Sequence, residues 1–428
     1  MTPNNAPKST CRSRKHIQRW IGIGLTLTTL SGCASYGVIQ NRPITEASQA
    51  RAPYSLKTWA AADRSSDVIF ILAFSGGGTR ASAMAYGVLE ELRDTNVVIN
   101  GHQGRLLDEV DYISSVSGGS FTAAYYGLYG EKIFSDFENE FLRANVESHL
   151  TRGLFNPFHW FGSTGRTQRA VEYYQKTLFH NATFADMQNP DRPMIVINAS
   201  DLAEGVRFSF IQDYFNFLGS DLSTFPVARA VAASSAVPVV LNPVVVENFP
   251  DPAGDDFRWP ANAEALAKKD AYFRMLYNGL QSYSEKETRK YIHFVDGGIT
   301  DNTGLRAMSD IMEISGGPPA LLSKTRRKIP KHVVMLSVNA STERASVLDE
   351  SNKEPSILTA MNATTNVQLH RYNADSIELA RNELYAWAAA MSTSGQKVTP
   401  HFIEVDFADV SQPQMRLFLN KIPTSFNL

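Results

Sequence analysis

Val68-Ile69-Phe70-Ile71-Leu72-Ala73-Phe74 runs directly into Ser75-Gly76-Gly77-Gly78-Thr79-Arg80. A strand with one wet face alternates apolar and polar residues, so an unbroken apolar run predicts a strand covered on both sides. The small residues from Ala81 to Arg93 that follow the glycines suit a helix. The same texture returns at Val110 to Val116, more mixed in polarity, where Ser117-Gly118-Gly119 leads into a helical stretch reaching about Gly130. Met194 to Ala199, Ile292 to Val295 and Val333 to Val338 predict further buried strands. Apolar strands alternating with helices imply an α/β fold, with a mainly parallel central sheet between helical layers.

The chain has 428 residues, 43% hydrophobic and 20% charged, which is globular composition. A formal charge of −2 leaves no basic footprint for nucleic acid. At the N-terminus a basic stretch from Lys8 to Arg19 precedes an apolar run from Trp20 to Leu30. That run is too short for a bilayer span of about 20 residues, and its charge pattern is that of a signal peptide. It closes on Leu30-Ser31-Gly32-Cys33, which resembles the lipobox of bacterial lipoproteins. The resemblance implies cleavage before Cys33 and acylation of its thiol and new amino group. An ordinary signal peptide or an uncleaved anchor is the alternative. Against it, the only cysteines are Cys11, on the discarded side, and Cys33. Ala34, where an Asp would retain an enterobacterial lipoprotein at the inner membrane, implies the outer membrane, facing the periplasm. Removing residues 1–32 takes away five basic residues and no acid, so −2 becomes −7. Anchoring is therefore expected from acyl chains, not from bulk charge.

Residues 33–66 read as a lipidated N-terminus and tether, without sustained periodicity. Residues 67–428 read as one domain, since no linker-like stretch interrupts them. A polar segment over about 249–290 looks like an insertion, helical around Ala261 to Asn278. A long helix is expected from Pro355 to about Met391, then a strand from His401 to Phe407.

Three glycine-containing turns each follow a predicted strand, and the carboxyl ends of parallel strands are where α/β proteins place their sites. Gly76-Gly77-Gly78-Thr79 exposes backbone amides at a helix start, suited to an anion or a developing oxyanion. A nucleotide-phosphate loop is the bland alternative, but no Lys-Ser or Lys-Thr pair follows and Ala81 breaks the dinucleotide spacing. Ser115-Val116-Ser117-Gly118-Gly119 has the strand-turn-helix setting of a nucleophile elbow, with small residues two places either side of Ser117. A polar loop fits that stretch equally well in isolation. Asp296-Gly297-Gly298 places an acid behind a strand, although Asp-Gly is also a common turn.

In this order the three motifs resemble the patatin-like phospholipase family, with its Gly-Gly-Gly-x-Arg loop, Gly-x-Ser-x-Gly elbow and Asp-Gly-Gly turn. Thr183 to Met187, Ala233 to Pro238 with Pro243, and Ile422 to Phe426 also fit the family. The resemblance covers roughly residues 67–311, and Ser115 departs from the family's glycine. It implies a three-layer α/β/α sandwich and a serine acyl hydrolase acting on phospholipid or lysophospholipid esters. Ser117 would be the nucleophile and Asp296 its base. Amides of Gly76, Gly77, Gly78, Thr79 and Gly118 would hold the oxyanion, and Arg80 would brace the loop. No cofactor or metal is called for; membrane lipid is expected as substrate and anchor.

A Ser-His-Asp enzyme would need a late histidine such as His332, His370 or His401, none in a distinctive setting; His293 inside a strand pattern reads as structural. A non-catalytic lipoprotein that binds lipid or a partner could share the fold but has no use for both Ser117 and Asp296. The aromatic stretch Leu154 to Phe161 reads as a buried loop, with a lid over acyl chains as the alternative.

Overall fold

The computed structural model describes residues 37–59, 67–99, 101–144, 165–238, 240–250, 259–342, 352, 354–422 and 424. Cys33 and the segment before it, the aromatic stretch 154–161, residues 251–258 of the expected insertion and residues 425–426 of the tail lie outside them.

Strands β1 (Val68–Phe74), β2 (Tyr112–Val116), β3 (Met194–Asp201), β4 (Arg207–Ser209), β5 (Val244–Glu247), β6 (Tyr291–Val295), β7 (His332–Asn339) and β8 (Thr399–Asp406) form one sheet. Their order is β8-β7-β1-β2-β3-β6-β5, with β4 also paired to β3. From β8 to β3 every pairing is parallel. β6 then runs antiparallel to both β3 and β5, and β4 antiparallel to β3. The sheet is thus mainly parallel with an antiparallel edge. β1 coincides with the apolar run, and all but Ile69 of its residues are buried. β2 begins later than its run because Asp111 serves as a buried bracket: one carboxylate oxygen accepts the Phe70 amide at 2.9 Å and the other pairs with Arg327 at 2.8 Å. That explains the mixed polarity of the stretch. β6 departs from the expected buried strand, since Tyr291 and His293 alternate outward.

Helices α1 (Gly78–Asp94), α2 (Gly118–Tyr129), α3 (Arg166–Thr177) and α4 (Val227–Ser234) form one layer, in which α2 touches α1 and α4, and α4 touches α3. Residues 118–128 of α2 are all buried, so this helix is enclosed on every side. Between β5 and β6 lie α5 (Ala263–Lys269) and α6 (Ala271–Gln281). Phe273, Leu276, Leu280 and Tyr283 from this stretch enter the main core, so it packs as part of the domain. The opposite layer holds α7 (Arg306–Ser315), α8 (Pro318–Thr325) and the long α9 (Ile357–Met391), which contact one another. α10 (Pro413–Lys421) follows β8.

Residues 37–59 differ from the expected tether. Asn41 makes a two-way bond to Glu247 of β5, its amide side chain donating to the carbonyl at 2.8 Å and accepting the Glu247 amide at 2.9 Å. Tyr54, 1% exposed, accepts the Ile195 amide at 2.8 Å and packs edge-on against Phe184. The Tyr54 carbonyl takes the Gln212 amide at 2.8 Å, and Asp213 accepts from the Leu56 amide at 3.1 Å. The segment is held by contacts far along the chain and not by any repeat of its own. Replacing Tyr54 by Ala should cost on the order of 3–5 kcal/mol through cavity formation, and Tyr54→Phe about 1–3 kcal/mol through the stranded Ile195 amide. Urea unfolding of the two variants checks both the sign and the order.

Candidate active site

The nucleophile elbow is built by close packing. Ser117 sits between β2 and α2 at φ 49°, ψ −120°, a left-handed conformation that costs about 1–3 kcal/mol outside glycine. The following helix must pass close to β1. A Cβ at Gly119 would stand 2.7 Å from the Ser75 carbonyl oxygen and 2.8 Å from the Phe74 Cβ. One at Gly118 would stand 2.0 Å from the Gly78 carbonyl oxygen, so only glycine lets the elbow and the triple-glycine loop touch. Ser115 fits where the family has glycine: it is fully buried and donates to the Val196 carbonyl at 3.4 Å.

Asp296 reaches Ser117 by strand register. On β2, Val116 faces Asn198 of β3; on β6, Val295 faces Ser200. One further residue along each strand brings both Ser117 and Asp296 to the level of Ala199. They arrive from opposite sides of β3 and in opposite chain directions, about 10 Å apart in backbone at the usual strand spacing. Their side chains close that gap over β3: the Ser117 hydroxyl donates to Asp296 Oδ2 at 2.8 Å. The other oxygen, Oδ1, accepts the Gly298 amide at 2.7 Å. The Asp296 backbone is pinned as well, its amide to the Ala236 carbonyl at 3.0 Å and its carbonyl to the Ser200 hydroxyl at 2.9 Å. The strand that carries the turn is antiparallel to both of its neighbours.

Burial pushes the Asp296 carboxyl up to about 6, with the Gly298 and Ser117 hydrogen bonds pulling the other way. An acid titrating there is ionised at neutral pH yet more basic than an exposed aspartate, as a general base requires.

The triple-glycine loop opens α1, whose first amides have no acceptor within the helix. Gly78 and Thr79 belong to that first turn, beside Gly118. Gly76 does not serve as expected: its amide donates to the Asn302 carbonyl at 2.8 Å. The candidate oxyanion donors are therefore Gly77, Gly78, Thr79 and Gly118. The Thr79 hydroxyl is buried with no hydrogen-bond partner among the described residues. Arg80 braces the loop, donating to the carbonyls of Ala340 at 2.9 Å and Ile422 at 2.6 Å. Burial lowers its guanidinium to about 10, still charged at neutral pH.

No histidine is among the described hydrogen-bond partners of Ser117 or Asp296. His332 and His401 bond each other at 3.1 Å at the amino-terminal ends of β7 and β8, the opposite end of the sheet from the elbow. Among the described residues no cluster of three His, Cys, Asp or Glu is arranged to hold a metal ion.

Across more than half its length, residues 72–309, the chain matches the family model described as patatin-like phospholipase. The chain belongs to the patatin-like phospholipase family. Its layered sheet is the patatin fold, and the elbow, the triple-glycine loop and the Asp296 turn all lie inside the matched span. No curated protein matches the chain. Human GIVD cytosolic phospholipase A2 is a similar solved structure, at 14% identity and TM-score 0.35, over 70% of this chain and 51% of that one. The same human protein with methyl gamma-linolenyl fluorophosphonate and terbium chloride aligns at 17% identity and TM-score 0.33, over 76% and 52%. The chain spans about half the length of these structures, and at such scores the family model alone carries the assignment.

Several residues that hold this patatin-like site lie outside its three glycine motifs. Asn302 ties the triple-glycine loop to the Asp296 turn. Asp301, fully buried, accepts the amides of Thr303, Gly304 and Arg306 and so shapes the chain around Asn302. Asn198 and Ser234 lie beneath the elbow. The Ala233-Ser234-Ser235 stretch resembles the family in sequence, but its chemistry becomes visible only in space.

The raised Asp296 carboxyl makes a stability prediction. The folded chain binds this proton more tightly than the unfolded chain, so the contribution of Asp296 to stability is fully present below about pH 3.8 and lost as pH rises through about 6. Asp296→Asn should therefore be more stable than wild type above pH 6, by on the order of 3 kcal/mol at most. The difference should shrink towards pH 4. Denaturation midpoints across that range check it, and a variant less stable at pH 8 than wild type would contradict the burial argument.

Proposed function

We propose that this chain is a serine acyl hydrolase that cleaves carboxylic esters of phospholipids or lysophospholipids through Ser117 and Asp296. The observation that carries this reading is the 2.8 Å bond from the Ser117 hydroxyl, on a strained elbow, to a buried carboxylate. Ser117 Oγ attacks the ester carbonyl as its proton passes to Asp296 Oδ2. The oxyanion is met by amides of the Gly77 to Thr79 loop and Gly118. Collapse expels the alcohol, which takes the proton back from Asp296, and leaves an acyl-enzyme. The same carboxylate then deprotonates a water that attacks the acyl carbonyl, releasing a fatty acid and restoring Ser117.

Anchoring at Cys33 belongs to the same proposal. It is supported by the lipobox-like Leu30 to Cys33 and by Cys33 being the one cysteine left after cleavage. No helix among the described residues is long and apolar enough to cross a membrane. Acyl chains on Cys33 would hold the domain at an envelope membrane, with the outer membrane facing the periplasm as its proposed place. The docked segment beginning at residue 37 leaves little free chain between anchor and domain, so substrate would be met close to the bilayer.

Ser117→Ala and Asp296→Asn should each lower esterase activity by at least about 1,000-fold while remaining folded. Wild-type kcat should rise with pH through about 6 and then level, because only the ionised Asp296 accepts the proton. Changing His332, His370 or His401 to Ala should leave most activity. A steady-state assay on a short-chain ester reads all of these, and failure of Ser117 to label with a fluorophosphonate probe would favour a non-catalytic binding protein.

Cys33→Ser should leave an unprocessed, unacylated precursor. Mass spectrometry of the wild-type N-terminus should find the acyl groups, and a wild-type protein without them would remove the anchor from the proposal.

A further inference from the structure

We infer that Ser234 is a positioning residue for the Ser117–Asp296 pair, a clamp whose side chain holds the nucleophile's backbone while its carbonyl holds the turn that carries the acid. The inference rests on the dyad proposed above. Ser234 is the last residue of α4 and fully buried. Its Oγ accepts the Ser117 amide at 2.8 Å and donates to the Asn198 carbonyl of β3 at 2.6 Å. Ser120 Oγ of α2 lies 3.0 Å away. Because the Ser234 proton is committed to Asn198, Ser120 is the donor in that contact. One hydrogen and two lone pairs are all that a hydroxyl has, and each is used. A threefold-held hydroxyl beneath the nucleophile has no freedom to turn away.

The main chain of the same residue serves the other partner. The carbonyl of Ser234, left without an intrahelical donor at the helix end, takes the Gly297 amide at 3.0 Å, and the Ala236 carbonyl takes the Asp296 amide at 3.0 Å. The end of α4 therefore bonds the backbone on both sides of the dyad. Ser117 stands at φ 49°, from which an L-residue relaxes unless its peptide groups are held. Gly297 is wedged equally tightly, since a Cβ there would lie 2.4 Å from the Asn198 carbonyl oxygen that Ser234 also bonds. Loss of the Ser234 hydroxyl frees the Ser117 amide while leaving the Asp296 turn attached, and the 2.8 Å contact between Ser117 and Asp296 loosens.

Ser235 supplies the internal comparison. It is next in the chain and equally buried, but its hydroxyl donates to the Val231 carbonyl of α4 at 2.8 Å and makes no described contact with the dyad. Ser234→Ala, Ser235→Ala and Ser117→Ala are assayed beside wild type on a soluble short-chain ester, with kcat, KM and the pH dependence of kcat measured. Ser234→Ala should lower kcat by about 10- to 100-fold with KM within about threefold. Its kcat inflection should move above about 6, by roughly half a pH unit or more, because the Ser117 hydroxyl no longer steadies the carboxylate. Ser235→Ala should keep the wild-type kcat and inflection. If Ser234→Ala does not fold, Ser234→Cys, similar in size but a poor acceptor, should show the same direction of change in both readouts. Wild-type kcat and inflection in a folded Ser234 variant would overturn the clamp, as would an equal loss and shift in Ser235→Ala. Activity surviving in Ser117→Ala would instead overturn the dyad beneath it.

Discussion

A hydrogen bond across the width of one strand governs the geometry of this site. Ser117 and Asp296 lie on opposite flanks of β3, brought there by strands that run in opposite directions. Their side chains meet only because both registers arrive at the level of Ala199. A one-residue slip on either strand would turn the side chain to the other face of the sheet. The acid thus reaches the level of Ala199 along the antiparallel edge of the sheet, and the nucleophile reaches it along the parallel part.

Holding that contact consumes stability elsewhere. The elbow keeps a non-glycine residue in a left-handed conformation, and the carboxylate gives up hydration at neutral pH. Both costs are offset by buried polar groups that bond the dyad and its backbone. Asp296 is held at its amide, its carbonyl and both carboxylate oxygens. Asn302, shaped by Asp301, joins the Asp296 turn to Gly76, and Arg80 fastens the same loop to Ala340 and Ile422. Within a patatin-like domain this network holds the triple-glycine loop against Gly118, while the Gly76 amide is spent on structure.

The rim of the domain follows the same logic of distant contacts. Residues 37–59 carry no period, yet Asn41 completes the edge at β5 and Tyr54 closes the core over Ile195. The connection between β5 and β6 reads as polar but sends Phe273, Leu276, Leu280 and Tyr283 inward. Arg289 from that connection reaches the buried Asp201 at the end of β3, and so binds it to the strand that the dyad straddles.

Local physics made much of this molecule legible in its residues. The unbroken apolar run from Val68 to Phe74 requires two covered faces, which sets the layered α/β class. The two glycines after Ser117 mark a helix start that packs too closely for side chains at those positions. An acid ahead of two glycines marks a candidate base, and each of these properties is carried by a handful of neighbouring residues. Tertiary structure alone decided the direction of β6, the commitment of the Gly76 amide to Asn302, the docking of residues 37–59 and the place of Ser234. Those features depend on partners separated by more than 90 positions in the chain, as with Asp201 and Phe294, Tyr54 and Ile195, or Ser117 and Ser234. A hydrogen bond of that kind leaves no periodicity and needs no particular neighbour, so its donor and acceptor are recognisable only once the sheet has brought them together.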